Sequence, residues 1–140
     1  MNDPVTPARF GFDQRWHAEL KPDGHVQVSS FFLKHYHRLR PYALTHGEAM
    51  FVIHLMQHKW GEDAPYPSYE TIAQRMVVSV KTVRRLAASL QHKKYLYREF
   101  RVGATNRFHL DALITALVKL KRSDGAAATL RPAAARRRKL

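Results

Sequence analysis

Lys81, Thr82, Arg84 and Arg85 crowd together just behind Ser79, a residue type that caps helices. Their chemistry is that of nucleic-acid contact. Arginine pairs bidentately with guanine, lysine neutralises phosphate, and threonine touches a phosphate or a thymine methyl. At 100° per residue, Val83, Leu86, Ala87 and Leu90 share about a third of the helix circumference, and the cations take the rest with Ser89. A helix over Ser79–Lys93 is roughly 22 Å long and suits a major groove about 12 Å wide. The backbone N–H groups behind Ser79 suit a phosphate. Ala88 and Ser89 are small enough for close approach. The stretch contains no acidic residue, so its cations lack the i,i+4 partners that a purely structural face favours. The alternative is an amphipathic helix with a solvated charged face.

Flanking segments must hold this helix. Ser68 caps a shorter helix, with Thr71 three residues on and Ile72, Ala73 and Met76 facing inward. Val77, Val78 and Ser79 then make a three-residue turn into the basic helix. Downstream, "YLYREFRV" alternates, placing Leu96, Arg98, Phe100 and Val102 on one side and Tyr95, Tyr97 and Glu99 on the other. With "GATN" as a turn and "RFHL" as a return strand, it predicts a hairpin. That hairpin carries Arg98, Arg101 and Arg107, placed to follow phosphates or enter the minor groove.

Upstream, Thr45 and Glu48 form a capping box that opens a helix with Ala49, Val52, Ile53, Met56 and Trp60 as its buried stripe. "SSFFLKHYHRL" reads as a short helix capped by Ser29 or Ser30 and ended by Pro41. Before it, "RWHAEL", "KPDG" and "HVQVSSFFL" suggest strand, turn and strand. "LDALITALVKL" is a final amphipathic helix bearing Leu110, Leu113, Ile114, Leu117 and Leu120. It covers the core, or it pairs with a second copy to make a homodimer through residues 110–120.

The chain has 140 residues, no cysteine and a net charge of +13. Such a length buries a core without disulfides or metals, and the missing thiols exclude cysteine-based zinc sites. Residues 1–40 carry six basic and four acidic groups, residues 41–78 two and four, residues 79–118 eight and two, and residues 119–140 eight and one. The excess begins at the basic helix and continues to the end, which points to a polyanion partner. The last segment, biased to Ala, Arg and Lys, is expected to be disordered. Its Arg136, Arg137, Arg138 and Lys139 form a sequence-independent phosphate anchor or a dock for an acidic protein. The expected division is an extension over 1–25, a domain over 26–121 and a basic flexible tail over 122–140.

Other constellations are weaker. His54 and His58 stand one helical turn apart but lack the HExxH order and a third ligand, so no metal site is expected. Glu62 and Asp63 are adjacent loop acids, and there is neither a phosphate-cradling glycine loop nor a nucleophile elbow. No catalytic residue and no cofactor are assigned. No apolar run approaches the roughly 20 residues that span a bilayer, and the N-terminus lacks a signal-peptide layout. A soluble, cytoplasmic and nucleoid-associated protein without membrane partners is expected.

The segments "VQVSSFFLKHYHRL", "LTHGEAMFVIHLM", "YPSYETIAQRM" and "SVKTVRRLAASLQHKKYLYRE" resemble the winged helix-turn-helix domain of plasmid and phage replication initiators and primosome-loading proteins. The resemblance implies an α+β fold, mostly helical, with a β-hairpin wing. It also implies that Ser68, Tyr69, Ser79, Lys81, Thr82 and Arg85 face DNA. The chain departs from the pattern where glycine is usual, with Val77 in the interhelical turn and Lys94 after the basic helix. The expectation is a non-enzymatic binder of double-stranded DNA acting in replication initiation, transcription regulation or a mobile element. The alternative is a subunit of a nucleoprotein assembly that docks a partner protein or RNA.

Overall fold

The structure, a computed structural model, describes residues 11–59 and 61–130. Helices α1 (Phe12–Arg15), α2 (Ser30–His35), α3 (His46–Gln57), α4 (Tyr69–Met76) and α5 (Val80–His92) precede an antiparallel hairpin. Strands β1 (Tyr97–Glu99) and β2 (Arg107–His109) form that hairpin, and α6 (Asp111–Leu130) closes the described chain. Short 3-10 turns occupy Ala18–Asp23 and Tyr36–Arg38. No helix among the described residues is long and apolar enough to cross a membrane.

Helix α3 is central, packing on α4 and α5, which also pack on each other. The stripe expected on α3 is only half of its apolar surface. Ala49 and Val52 are buried and Ile53 and Met56 partly so, but Phe51 and Leu55 are fully enclosed as well. A helix covered on two sides needs apolar residues beyond one stripe. Trp60, the last member of that stripe, lies outside the described residues. Ile72 and Ala73 from α4, Val83, Ala87 and Leu90 from α5, and Phe108 from β2 complete the core with Leu113 of α6. The Phe108 ring meets Phe51 edge-on at 6.3 Å, which ties the wing to the helices.

Several expectations change. Of the strand, turn and strand expected over Arg15–Leu33, the turn at "KPDG" forms, with the Gly24 N–H donating to Lys21 O at 3.0 Å and Gly24 at φ 85°, but neither strand does. "FDQR" coils into one α-helical turn and "AELKPD" into a short 3-10 helix, and residues 25–29 form no strand. A strand persists only where a neighbour takes its hydrogen bonds, and the one described sheet is β1 with β2. Ser29, not Ser30, caps α2, its Oγ accepting from the Phe32 N–H. The α-helix stops at His35, well before Pro41. The first wing strand is only three residues long: before it Tyr95 and Leu96 are both buried, and after it Phe100 and Val102 are both strongly exposed. The basic tail expected from residue 122 is helical as far as Leu130. Ala126–Ala128 are strong helix formers, and Asp124 receives two hydrogen bonds from the Arg38 guanidinium, one at 2.5 Å. Residues 131–140, with the Arg136–Lys139 cluster, lie outside the described residues.

Both joints that lack glycine keep the left-handed conformation. Val77 has φ 57° and ψ 49°, and Lys94 has φ 70°. In the first, the Val77 N–H donates to Gln74 O and the Val78 N–H to Ala73 O. In the second, Lys94 donates to Gln91 O and Tyr95 to Leu90 O. Each is a Schellman ending, which satisfies carbonyls that the helix leaves unpaired. The strain of a side chain at Lys94, about 1–2 kcal/mol, is sustained by burial of the next residue. Tyr95 is enclosed, and its hydroxyl donates to Tyr42 O and accepts from the Tyr42 N–H.

One buried carboxylate orients α5. Glu48 is 2% exposed. Its Oε1 accepts from the Thr45 N–H at 2.9 Å and from Lys93 Nζ at 2.7 Å, and its Oε2 accepts from Ser89 Oγ at 2.5 Å. Lys93 also donates to Ala43 O at 2.9 Å. Burial alone pushes the Glu48 carboxyl up, but the hydrogen bonds from Lys93, Ser89 and Thr45 hold it below the usual carboxylate range.

Val77→Gly should raise stability by about 1 kcal/mol, read as a higher midpoint in urea; a lower midpoint would mean that the turn does not hold a positive φ. Lys93→Met leaves the Glu48 charge buried without its cation and should remove about 3–5 kcal/mol at pH 7. Because the folded carboxyl titrates below the unfolded one, the wild-type contribution is complete above about pH 4.3 and vanishes as pH falls through the depressed value. The gap between variant and wild type, followed by urea titrations across acid pH, should therefore close.

Candidate nucleic-acid interface

Helix α5 turns Val83, Ala87 and Leu90 into the core and leaves Lys81, Arg84, Arg85 and Ala88 exposed. Ser79 caps it, its Oγ accepting from the Thr82 N–H and lying 3.0 Å from Thr82 Oγ1. Thr82 is half-buried beside the cap. Ser68 repeats the device at α4, its Oγ accepting from the Thr71 N–H and donating to Thr71 Oγ1. Ser89 departs from its expected place on the outward face. It is half-buried and committed to Glu48, because the wheel position that looks lateral in an isolated helix lies under α3 in the fold.

Tyr69 joins the helix to the wing. The Arg84 guanidinium lies 5.6 Å over its ring, Arg98 Nη1 donates to its hydroxyl at 3.2 Å, and the ring edge meets Phe108 at 5.8 Å. Arg98 also gives its Nε–H to Gln91 Oε1 at 2.9 Å, so β1 is pinned to the last turns of α5. The basic face of α5 and the base of the wing therefore form one surface.

The three wing arginines are half-buried, unlike the exposed cations of α5. Arg101 Nε donates to Thr105 O at 2.8 Å, and its guanidinium lies 5.0 Å over the Tyr66 ring. Arg107 faces Glu99 across the ladder, and its buried Nε has no hydrogen-bond partner among the described residues. The wing acid is engaged elsewhere: Glu99 Oε1 lies 2.7 Å from His109 Nε2, and this hydrogen bond holds its carboxyl below the usual range. Arg98 and Arg101 thus brace the hairpin as well as adding charge to it. Gln91 and Tyr66, which hold them, are not marked by the sequence. A neutral polar residue and an exposed tyrosine in a loop carry no periodic signal.

Elsewhere, His54 Nδ1 and His58 Nε2 are buried without hydrogen bonds among the described residues. Burial, and then the Arg75 charge, push both imidazoles below their ordinary pKa. The described residues hold no group of three or more His, Cys, Asp or Glu side chains placed to bind a metal. Lys59 Nζ donates to the backbone carbonyls of Glu62 and Asp63, which fixes the loop that carries them. Of the segment expected to pair two copies, Leu110 and Leu113 are buried in this chain's own core, while Ile114 and Val118 remain exposed on α6.

Residues 42–96 match the model of a family described as a helix-turn-helix domain. The fold resembles the crystal structure of the N-terminal domain of DnaD protein from Geobacillus kaustophilus HTA426, with a TM-score of 0.62 and 23% sequence identity over 80% of this chain and 93% of that one. Comparison with curated proteins gives no significant match. The matched span runs from the lead-in to α3 through the end of α5, and the hairpin follows it directly. Residues 42–96 thus have the fold of a helix-turn-helix domain, extended by β1 and β2 into the winged form.

Proposed function

We propose that this chain binds double-stranded DNA through the exposed face of α5, in replication initiation or in transcription regulation. The observation that carries the reading is the acid-free cationic face of Lys81, Arg84 and Arg85 on a helix locked in place by Glu48 and Lys93. A rigid, capped, basic helix whose surface continues into a basic wing suits a major groove, with Arg85 and Lys81 at the bases or phosphates. Ser68, Tyr69, Ser79 and Thr82 line its edge. The net charge of +13 supplies attraction to any duplex, and base contacts must add the selectivity. The replication setting rests on the resemblance of residues 26–102 to initiator and primosome-loading domains, and the likeness to the DnaD N-terminal domain supports the fold that this reading requires. No catalytic or cofactor role is assigned.

A second reading is a non-enzymatic subunit of a nucleoprotein assembly. One feature favours it: an apolar groove of about 320 Å³ between α2, α3 and α6, lined by Phe31, Ile53, Met56, Ile114, Leu117 and Val118. A partner protein or a second copy fits such a surface better than nucleic acid does.

Selection of bound sequences from a randomised duplex pool, followed by fluorescence anisotropy, separates the two. Enrichment of a motif supports the first reading; tight binding without enrichment supports the second. On the best site, Arg85→Ala should lose about 1–3 kcal/mol and on random duplex distinctly less. Equal losses would reduce Arg85 to a phosphate contact. Removing residues 131–140, which carry Arg136, Arg137, Arg138 and Lys139, should weaken binding to all sequences alike. The slope of log affinity against log salt should become shallower by about 0.9 for each phosphate that these residues neutralise; an unchanged slope would take them out of the interface.

A further inference from the structure

We infer that the wing tip is an apolar wedge that enters the minor groove of duplex DNA and opens a base step. The inference rests on the DNA-binding reading and adds to it an apolar insertion and a change in DNA shape. Phe100 is 84% exposed and Val102 is fully exposed, on either side of Arg101 at the end of β1. Two large apolar side chains held in water are unfavourable for an isolated domain unless something covers them.

The tip is not a loose loop. Arg101 folds back, with its Nε on Thr105 O and its guanidinium stacked on Tyr66. Thr105 Oγ1 donates to Tyr66 O, and the Phe108 N–H donates to Pro65 O at 2.9 Å. Gly103, at φ 70°, completes the bend. With Arg98 pinned to Gln91 of α5, the hairpin is held at its base and near its tip. Phe100 and Val102 are therefore presented rigidly, at little loss of freedom on binding.

Charge selects the occupant. The apolar pair belongs to a hairpin that also carries Arg98, Arg101 and Arg107, and the one acid of that hairpin, Glu99, is paired with His109. An apolar tip on a basic hairpin complements a groove with anionic walls and apolar base faces, where an inserted side chain such as phenylalanine unstacks a step and kinks the duplex.

The test uses the full chain and a mixed-sequence duplex of about 100 base pairs, below the persistence length of about 150. Ligase-driven circle formation is read at protein concentrations that saturate binding by anisotropy. Wild type should raise the circle yield several-fold. Phe100→Ala/Val102→Ala should bind within about tenfold of wild type yet leave the yield at its protein-free level. Phe100→Leu, still apolar, should retain most of the gain, and a netropsin-filled minor groove should abolish it. Wild-type binding without a gain in circles, an undiminished gain in the double variant, or a gain insensitive to netropsin would each overturn the wedge while leaving DNA binding intact. No duplex binding by wild type would overturn the DNA-binding reading itself, and the wedge with it.

Discussion

The hydrogen-bonded ion pair of Glu48 and Lys93 is the constraint on which the rest of the domain depends. Glu48 closes the capping box at the start of α3, and the same carboxylate receives Ser89 and Lys93 from the end of α5 and its cap. The N-terminus of the central helix and the C-terminal half of the basic helix therefore share one buried group. A buried carboxylate is tolerated only when its lone pairs are filled, which makes the arrangement geometrically selective. It sets the rotation of α5 and so decides which of its cations reach solvent.

The two left-handed joints act in concert with that lock. Val77 and Lys94 occupy conformations that glycine would take without strain, yet the chain keeps them because the core fixes both ends of α4 and α5. After the second joint, Tyr95 and Leu96 enter the core together, and the strand alternation starts only at Tyr97. The wing is consequently short, and its support comes from side chains: Gln91 and Tyr69 hold Arg98, while Tyr66 and Thr105 hold Arg101. Arginine's planar, multi-donor head lets one residue brace a hairpin and still contribute charge.

Much of the fold was legible from local chemistry. Thr45, Ser68 and Ser79 announce their helices because a cap needs only the residue and its N–H groups a turn ahead. The inward faces of α4 and α5 follow from helical periodicity, and the exposed Lys81, Arg84 and Arg85 are the complement of that pattern. The two-sided burial of α3 was not legible, since Phe51 and Leu55 break a single stripe and only the neighbouring helices explain them. The helical continuation of α6 past Leu120 was hidden too. Its polar, alanine-rich stretch looks like a tail until Asp124 meets Arg38, far away in sequence.

By itself, then, the sequence determined where α3, α4 and α5 begin, which faces of α4 and α5 turn inward, and that the charge gathers from Ser79 onward. Those properties depend on neighbours within a turn or two. Tertiary structure alone decided that Ser89 and Lys93 serve Glu48 rather than a ligand. It also decided that Arg98 and Arg101 brace the wing, and that Phe100 and Val102 stand in solvent. Each of these outcomes is set by the packing of segments remote in the chain, and no periodicity encodes which distant group a side chain will meet.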